Sequence, residues 1–336
     1  MMGQRDSHPW ELGKRVAVAI PCYQVKKHIL GVLEAIGPEV HRIYCVDDAC
    51  PEQTGDWVEQ HCKDTRVTVI RHERNRGVGA ATLSGYRAAV EDGADVIVKI
   101  DGDGQMNTDL IRLFTEPVLS GRADYAKGNR FFNLEDTRSM PALRVLGNAC
   151  LSFLTKISSG YWNIFDPTNG YTAIDARVAQ EVLSRRVAER YFFESDMLFH
   201  LYMLRAVVAD VPLTSQYGDE TSNLKISRIL LPFLFRNLRN AFHRIGVQHF
   251  VRDFSLASIQ LVFGSAAFLF GAGFGAYSWA QSIIHGQPAT AGTVMLSAIP
   301  FVFGAQLVLG AINYDMQSLP KHPRQHQLRQ QDLLSG

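Results

Sequence analysis

The chain has 336 residues, 46% hydrophobic and 20% charged, which excludes a disordered polymer or a fibrous repeat and leaves a folded protein with a substantial core. The formal net charge of +1 hides two unlike regions, since residues 1–224 carry 25 Lys and Arg against 30 Asp and Glu, while residues 225–336 carry 9 against 3. From Phe254 to Tyr314, 61 consecutive residues contain no Asp, Glu, Lys or Arg, an event of about one in a million at this charge frequency, which argues against a wholly soluble chain. A basic flank beside an apolar stretch points to a membrane, and the acidic head argues against nucleic acid as a partner. The five cysteines, Cys22, Cys45, Cys50, Cys62 and Cys150, lack zinc-site spacing and read as reduced thiols. Met1–Trp10 is polar, so no cleaved signal peptide is expected.

In chain order, Val16–Ile20, Arg42–Val46, Val67–Arg71, Val96–Ile100 and Asp124–Gly128 are apolar or β-branched runs bounded by turn residues. Helix-length segments lie between them, at His28–Ile36, Gly79–Asp92 and Thr108–Leu119, and further strands are expected near Tyr171–Asp175 and Val207–Pro212. This alternation predicts an α/β domain with a mostly parallel, Rossmann-like sheet covered on both faces. Ligands of such sheets bind beyond the carboxyl ends of the strands, so the residues just after each strand carry the functional information.

After Ile226 the pattern changes. Pro232 is expected to break the segment, and beyond it Leu234, Phe235, Leu238, Phe242 and Ile245 recur at helical spacing, with Arg236, Arg239, His243 and Arg244 largely opposite. Such an amphipathic helix suits the plane of a membrane interface, the alternative being a surface helix packed on the head. The uncharged run divides at His285–Thr290, leaving about Leu256–Ile283 and about Gly292–Tyr314, each long enough for the roughly 20 residues of a bilayer span. Lys225, Arg228, Arg236, Arg239, Arg244 and Arg252 precede the first span, Lys321, Arg324 and Arg329 follow the second, and the loop has none, so both termini should be cytoplasmic. Gly264, Gly271, Gly273 and Gly275, with nearby alanines, supply small residues for close helix contact, including contact between protomers of a homo-oligomer. The expected organisation is a domain over 1–224, juxtamembrane amphipathic helices over 225–253, two membrane spans over 254–316 and a cytoplasmic tail over 317–336.

The strongest local signal is Ile97-Val98-Lys99-Ile100-Asp101-Gly102-Asp103-Gly104-Gln105. At an extended strand end alternate residues point the same way, so Asp101, Asp103 and Gln105 are expected to converge as hard oxygen ligands for Mg²⁺ or Mn²⁺. The alternative is a polar turn capping the helix from Thr108. Pro21-Cys22-Tyr23 follows the first strand and Val46-Asp47-Asp48 ends the second, where paired aspartates suit a base or ribose. Asn75-Arg76-Gly77-Val78-Gly79 opens a helix, and the free backbone N–H groups at Gly79 suit phosphate.

These motifs together resemble the family-2 glycosyltransferases of the GT-A fold, and within them the polyprenyl-phosphate glycosyltransferases, the dolichol-phosphate mannose synthase group included. The resemblance covers roughly residues 14–228, and the two terminal spans are similar to those of the membrane-anchored members. It implies that Pro21, Tyr23, Val46, Asp48, Gly102 and Asp103 serve the nucleotide donor, that Asp101, Asp103 and Gln105 serve the metal, and that Arg130 of Gly128-Asn129-Arg130 meets phosphate. Asp166 in Asp166-Pro167-Thr168-Asn169-Gly170 would shape the acceptor side. Val25 stands where the family often has an acid, and the lysine of the family's Glu-Ser-Lys element has no match in register, leaving Lys225 or Arg228 for that role. Arg130, Arg144 and Lys225 are the candidate cations for an acceptor phosphate. A hydroxyl acceptor would need a base, for which Glu194 or Asp196 stands ready, although both also read as the cap and first turn of a helix running to Arg205.

The expected activity is inverting transfer of one sugar from a nucleotide-diphosphate sugar to a polyprenyl phosphate, undecaprenyl or dolichyl, with Mg²⁺ or Mn²⁺. It would take place at the cytoplasmic face of a bacterial inner membrane or its equivalent. The alternatives are transfer to a hydroxyl of another lipid or polysaccharide, and a non-catalytic membrane assembly subunit.

Overall fold

The structure, a computed structural model, describes residues 13–132, 142–213 and 226–335. The chain forms two compact units, Met1–Asn240 with Pro320–Gly336, and Ala241–Leu319. These cut across the four segments expected from the sequence.

The first unit runs β1 (Val16–Cys22), α1 (Ile29–Ala35), β2 (Val40–Asp47), α2 (Thr54–His61), β3 (Val67–Arg71), α3 (Val78–Glu91), β4 (Val96–Lys99), α4 (Ile111–Leu119) and β5 (Tyr125–Asn129). It continues with α5 (Ala142–Ser159), β6 (Thr172–Asp175), α6 (Ala176–Leu183), α7 (Phe193–Met203), β7 (Val208–Pro212) and α8 (Ile226–Gly246), whose last turns enter the second unit. The seven strands stand in the order β3-β2-β1-β4-β6-β5-β7. All pairings are parallel except those of β6, which runs antiparallel to β4 and β5. Six strands therefore end on one rim, and β6 starts from it. The continuous apolar runs follow from burial on both faces: Val16, Val18, Ala19 and Ile20 of β1 and Ile97 and Val98 of β4 are fully buried.

Helix α3 lies close on β1 because Gly85 lacks a side chain. A Cβ there would stand 2.7 Å from the Cβ of Ala19 and 3.5 Å from Cγ2 of Val46. Gly85→Leu is therefore expected to destabilise this unit by about 1–3 kcal/mol, despite removing a glycine from a helix. Thermal unfolding of the detergent-solubilised protein reads this directly, and an unchanged midpoint contradicts the close approach.

The segment expected as a tail forms α11 (Arg324–Ser335) and belongs to the first unit. Asp124, fully buried at the start of β5, accepts hydrogen bonds from the backbone N–H of Val207 (2.7 Å), Arg324 (2.7 Å) and Gln325 (2.8 Å). The buried Gln325 amide donates to the carbonyls of Ala123 and Val118, and Arg324 pairs with Glu181. One carboxylate thus ties together two strands and the returning chain.

Pro232 does not break α8; the helix runs through it from Ile226 to Gly246. Nor do its polar and apolar sides fall where a helix packed by its hydrophobic stripe would put them. Leu231, Phe235, Leu238 and Phe242 are exposed, Phe242 at 76%, while Asn237 and Asn240 are buried. Asn237 Oδ1 accepts from Ser158 Oγ (2.6 Å), and Asn240 Nδ2 donates to Asp196 (2.7 Å).

In the second unit a π-helical turn (Val247–Arg252) leads to α9 (Leu256–His285) and α10 (Ala291–Gln317), both long and apolar enough to cross a membrane. Their glycines are used within the chain. A Cβ on Gly264 would stand 2.7 Å from Leu307, and one on Gly271 2.5 Å from the backbone of Phe301; Gly304 and Gly275 likewise face the opposite helix, while Gly273 faces open space. Ser297 Oγ donates to the Gly271 carbonyl at 2.9 Å. The close helix contact expected of these glycines is thus made between α9 and α10, and the large side chains, among them Phe263, Leu269, Trp279 and Leu309, point outward. Arg244, placed by its sequence spacing on the face opposite the apolar residues, is 1% exposed and pairs with Asp315 at 2.6 Å inside this unit.

Candidate active site

A cavity of about 420 Å³ opens at the carboxyl rim, over the ends of β1, β2 and β4. Pro21, Tyr23, Asp48, Asp101, Gly102 and Asp103 line it, as the motif spacing predicts. Val25 lines it too, where the family often carries an acid. Val46 does not: it is fully buried inside β2, opposite Pro21 in register. Cys22 borders the cavity but is only 1% exposed, and the adjoining Cys45 thiol and burial push its thiol up, so it is no nucleophile at neutral pH.

The paired aspartates after β2 have different tasks. Asp47 accepts the backbone N–H groups of Cys50 (2.7 Å) and Gly55 (2.6 Å) and so shapes the entry to α2. Asp48 accepts from His72 Nδ1 (2.7 Å) and from the backbone N–H of Arg76 (2.9 Å) and Gly77 (2.7 Å). Much of its capacity is thus spent on holding the start of α3, although it still borders the cavity. Gly77 and Gly79 are glycines for a packing reason. A Cβ on Gly77 would stand 2.6 Å from the Glu189 carbonyl oxygen, and one on Gly79 2.6 Å from that of Ala188 and 2.7 Å from the Phe193 ring. Gly79 is not among the residues lining the cavity, so its assignment to phosphate gives way to close contact with the 188–193 turn.

Asp101, Asp103 and Gln105 do not converge as an extended strand end would make them. β4 ends at Lys99, residues 102 and 103 turn, and Gly104 takes φ +78°. Asp101 and Asp103 face the first cavity, whereas Gln105 lines a second one of about 550 Å³ with Lys27 and His28. Among the described residues no three His, Cys, Asp or Glu side chains form a metal cluster. Two carboxylates beside a diphosphate-sized cavity nevertheless fit Mg²⁺ or Mn²⁺, which take one or two carboxylates and complete their shell from substrate phosphates and water.

Beneath Asp101 lies a charge that the motif reading passed over. Lys99, 1% exposed, reaches Asp101 Oδ1 at 2.9 Å and Glu194 Oε1 at 3.3 Å. Burial opposes its charge, yet the two carboxylates hold the ammonium protonated, above the ordinary lysine range. Gly170 allows this, since a Cβ there would stand 2.6 Å from both Lys99 Nζ and Asp101 Oδ2. Lys127 of β5 occupies the matching position across Thr172 and donates to the Asn169 carbonyl at 2.7 Å. Burial pushes it down to about 8, with Glu194 and Asp166 limiting the fall. The folded protein therefore releases this proton near pH 8 and the unfolded chain near ~10.4, so stability should rise with pH between those values by about 1.4 kcal/mol per unit. Melting the wild type and Lys127→Met from pH 7 to 10.5 tests this; the rise belongs to the wild type alone, and parallel curves contradict it.

Arg130 and Asp166 come together as a bidentate pair, Nε to Oδ2 at 2.8 Å and Nη2 to Oδ1 at 3.0 Å, with Asp166 1% exposed. Arg130 holds Asp166 below the usual carboxylate range against its burial. Asp166 thus fixes the plane of the guanidinium, although neither residue is among those lining the cavity. Asp196 is not placed as a base: it is buried and accepts from Ala188 N–H (2.7 Å) and Asn240 Nδ2 (2.7 Å), with His200 at 3.5 Å. Glu194 faces Lys99. The side chains of Arg144 and Arg228, and Lys225 altogether, lie outside the described residues. Sequence reasoning also missed Arg190 and Tyr191, which line the cavity from the turn before α7. A lysine inside an apolar strand run was the available signal for Lys99 and Lys127; for Arg190 there was none.

A mostly parallel sheet carrying one reversed strand, with an acidic cavity on its carboxyl rim, defines the GT-A class of nucleotide-dependent transferase folds. Glucosyl-3-phosphoglycerate synthase from Mycobacterium tuberculosis, solved with Mn²⁺, UDP and glucosyl-3-phosphoglycerate, shares this fold at TM-score 0.53 and 17% identity, over 71% of this chain and 82% of that one. The model of glycosyl transferase family 2 matches residues 17–183. The undecaprenyl-phosphate mannosyltransferase of Micrococcus luteus is 31% identical over 205 residues, 60% of this chain and 83% of its own. The UDP-N-acetylglucosamine–dolichyl-phosphate N-acetylglucosaminyltransferase of Methanococcus voltae is 29% identical over 221 residues, 61% and 87%. The chain belongs to glycosyl transferase family 2 and is a glycosyltransferase.

Proposed function

We propose that the protein transfers one sugar, with inversion, from a nucleotide-diphosphate sugar to a polyprenyl phosphate at the cytoplasmic face of a membrane, such as a bacterial inner membrane. The observation that carries the choice of acceptor is the state of the two carboxylates opening α7. A hydroxyl nucleophile needs a base, yet Asp196 is sealed by Ala188 and Asn240, and Glu194 is paired with buried Lys99. A phosphate monoester needs none, because its second pKa near ~6 leaves it largely ionised at neutral pH. The named activities of the Micrococcus luteus and Methanococcus voltae relatives, both on polyprenyl phosphates, support the same acceptor.

A phosphate oxygen attacks C1 of the sugar, the bond from C1 to the diphosphate breaks, and the electron pair leaves with the nucleotide diphosphate. Arg130, aimed by Asp166, holds the attacking phosphate. Asp101 and Asp103 would hold a divalent cation, which supplies positive charge to the leaving diphosphate. The outward apolar face of α8 and the two apolar helices support action at a lipid surface. Met1–Asn240 and Pro320–Gly336 belong to one compact unit although α9 and α10 separate them in sequence, which supports a hairpin with both ends on one side, and the Lys and Arg flanks favour the cytoplasm for that side.

Purified protein incubated with undecaprenyl or dolichyl phosphate, Mg²⁺ or Mn²⁺ and a panel of nucleotide sugars should yield a solvent-extractable, acid-labile lipid-linked sugar from one donor. Transfer to lipid hydroxyls alone would replace this reading.

A further inference from the structure

The cavity has a wall that none of the motifs supplies. Arg190 and Tyr191 project into it from the turn between α6 and α7, facing Asp48, Asp101 and Asp103. A guanidinium carries five N–H donors, and among the described residues that of Arg190 makes one hydrogen bond, from Nη2 to the Asn75 carbonyl at 3.2 Å, and no ion pair. The carboxylates opposite are largely accounted for, Asp101 by Lys99 and Asp48 by His72 and two backbone N–H groups. Arg190 is thus a guanidinium with no ion pair among the described residues, on the wall of a cavity sized for a nucleotide.

Its turn is tied down on three sides. The Glu189 side chain pairs with Arg76 at 2.6 Å, and its carbonyl accepts from Ala80 N–H at 3.1 Å. Ala188 N–H donates to Asp196, which Asn240 of α8 holds from behind. The stem of Arg190 lies on Gly77, where the positive φ of +103° and an absent side chain let it rest; a Cβ there would stand 2.7 Å from Arg190 Cγ. The guanidinium therefore sits on a braced arm, and little entropy remains to be lost when it binds an anion.

We propose that Arg190 is a donor-binding residue whose guanidinium grips the diphosphate of the nucleotide sugar, presented by the 188–191 turn that Asp196 and Asn240 brace. The inference rests on the nucleotide-diphosphate donor of the function proposed above, and not on the identity of the acceptor. Asp196 acquires a positioning role in place of that of a base.

Binding of UDP, GDP, uridine and guanosine to the full-length protein in detergent, measured by calorimetry for the wild type, Arg190→Ala and Arg190→Gln, tests this. Glutamine keeps a donor for the Asn75 carbonyl but loses the charge, which separates a loosened turn from a lost phosphate contact. Both variants should bind the preferred nucleoside diphosphate about 10–100-fold more weakly, keep nucleoside affinity unchanged, and raise the donor KM more than they lower kcat. Wild-type affinity in Arg190→Gln, or equal losses for nucleoside and diphosphate, would overturn the assignment. A wild type that binds nucleotide as expected but does not glycosylate polyprenyl phosphate would sink the proposed acceptor and leave Arg190 standing. No nucleotide binding by the wild type would end both.

Discussion

Asp103→Asn is expected to lower the rate of sugar transfer by about 10²–10³-fold, equivalent to roughly 3–4 kcal/mol of transition-state stabilisation. The asparagine keeps the acceptor oxygen that receives the Gln105 backbone N–H at 3.0 Å, so the turn after β4 should survive and the melting temperature should stay within a degree or two. What it loses is the anionic charge that, with Asp101, offers a divalent ion a place beside the donor's diphosphate. The loss should appear in kcat at saturating donor and should not be recovered by raising Mg²⁺ or Mn²⁺ within a range the wild type tolerates. Initial rates across a metal titration decide the matter. Full activity in Asp103→Asn would remove the carboxylate from the chemistry and with it the reading of the cavity as a metal–diphosphate site.

Lys99→Met is the second large effect, and it falls on stability before activity. The ammonium is the shared partner of Asp101 and Glu194, in a position 1% exposed to solvent. Removing it leaves two carboxylates at a partly buried position without their ion-pair partner, which costs about 3–5 kcal/mol in comparable cases. Because the folded-state pKa of Lys99 lies above that of the unfolded chain, its contribution is present throughout the neutral range and is lost only as the pH rises through the folded value. The deficit of Lys99→Met should therefore be flat from pH 6 to 9, unlike that of Lys127. Adding Glu194→Gln should recover part of the loss, since the pair rather than either member is then replaced. A melting temperature unchanged in the single variant, or a double variant no better than the single, would show that the three groups do not act as a unit.

Much of the sheet was legible because parallel strands buried on both faces leave unbroken apolar runs. Val16–Ile20, Val67–Arg71 and Val96–Ile100 recur as β1, β3 and β4 within a residue or two. Reading the strand ends also located Pro21, Tyr23, Asp48, Asp101 and Asp103 on one cavity. The reversal of β6 was not legible, since Thr172–Asp175 is four buried residues whose direction depends on which neighbours accept its hydrogen bonds. Gln105 departs from the strand-end expectation because β4 stops at Lys99 and Gly104, with positive φ, redirects the chain. An interior proline costs a helix one hydrogen bond, which is the reason to expect a stop at Pro232, yet α8 carries it.

The amino-acid order alone determined which segments are apolar enough for strands or membrane spans, and which acidic residues stand at strand ends, because period and composition are local properties. Tertiary structure decided partnership. It set Gly77 and Gly79 against the 188–193 turn and Gly170 against the Lys99–Asp101 pair, buried Asp196 against the Ala188 N–H and Asn240, and brought Arg324 and Gln325 back onto Asp124. Each of these joins residues far apart in the chain, and a side chain's role in a close-packed interior is set by the groups within hydrogen-bonding reach, which spacing along the chain does not specify.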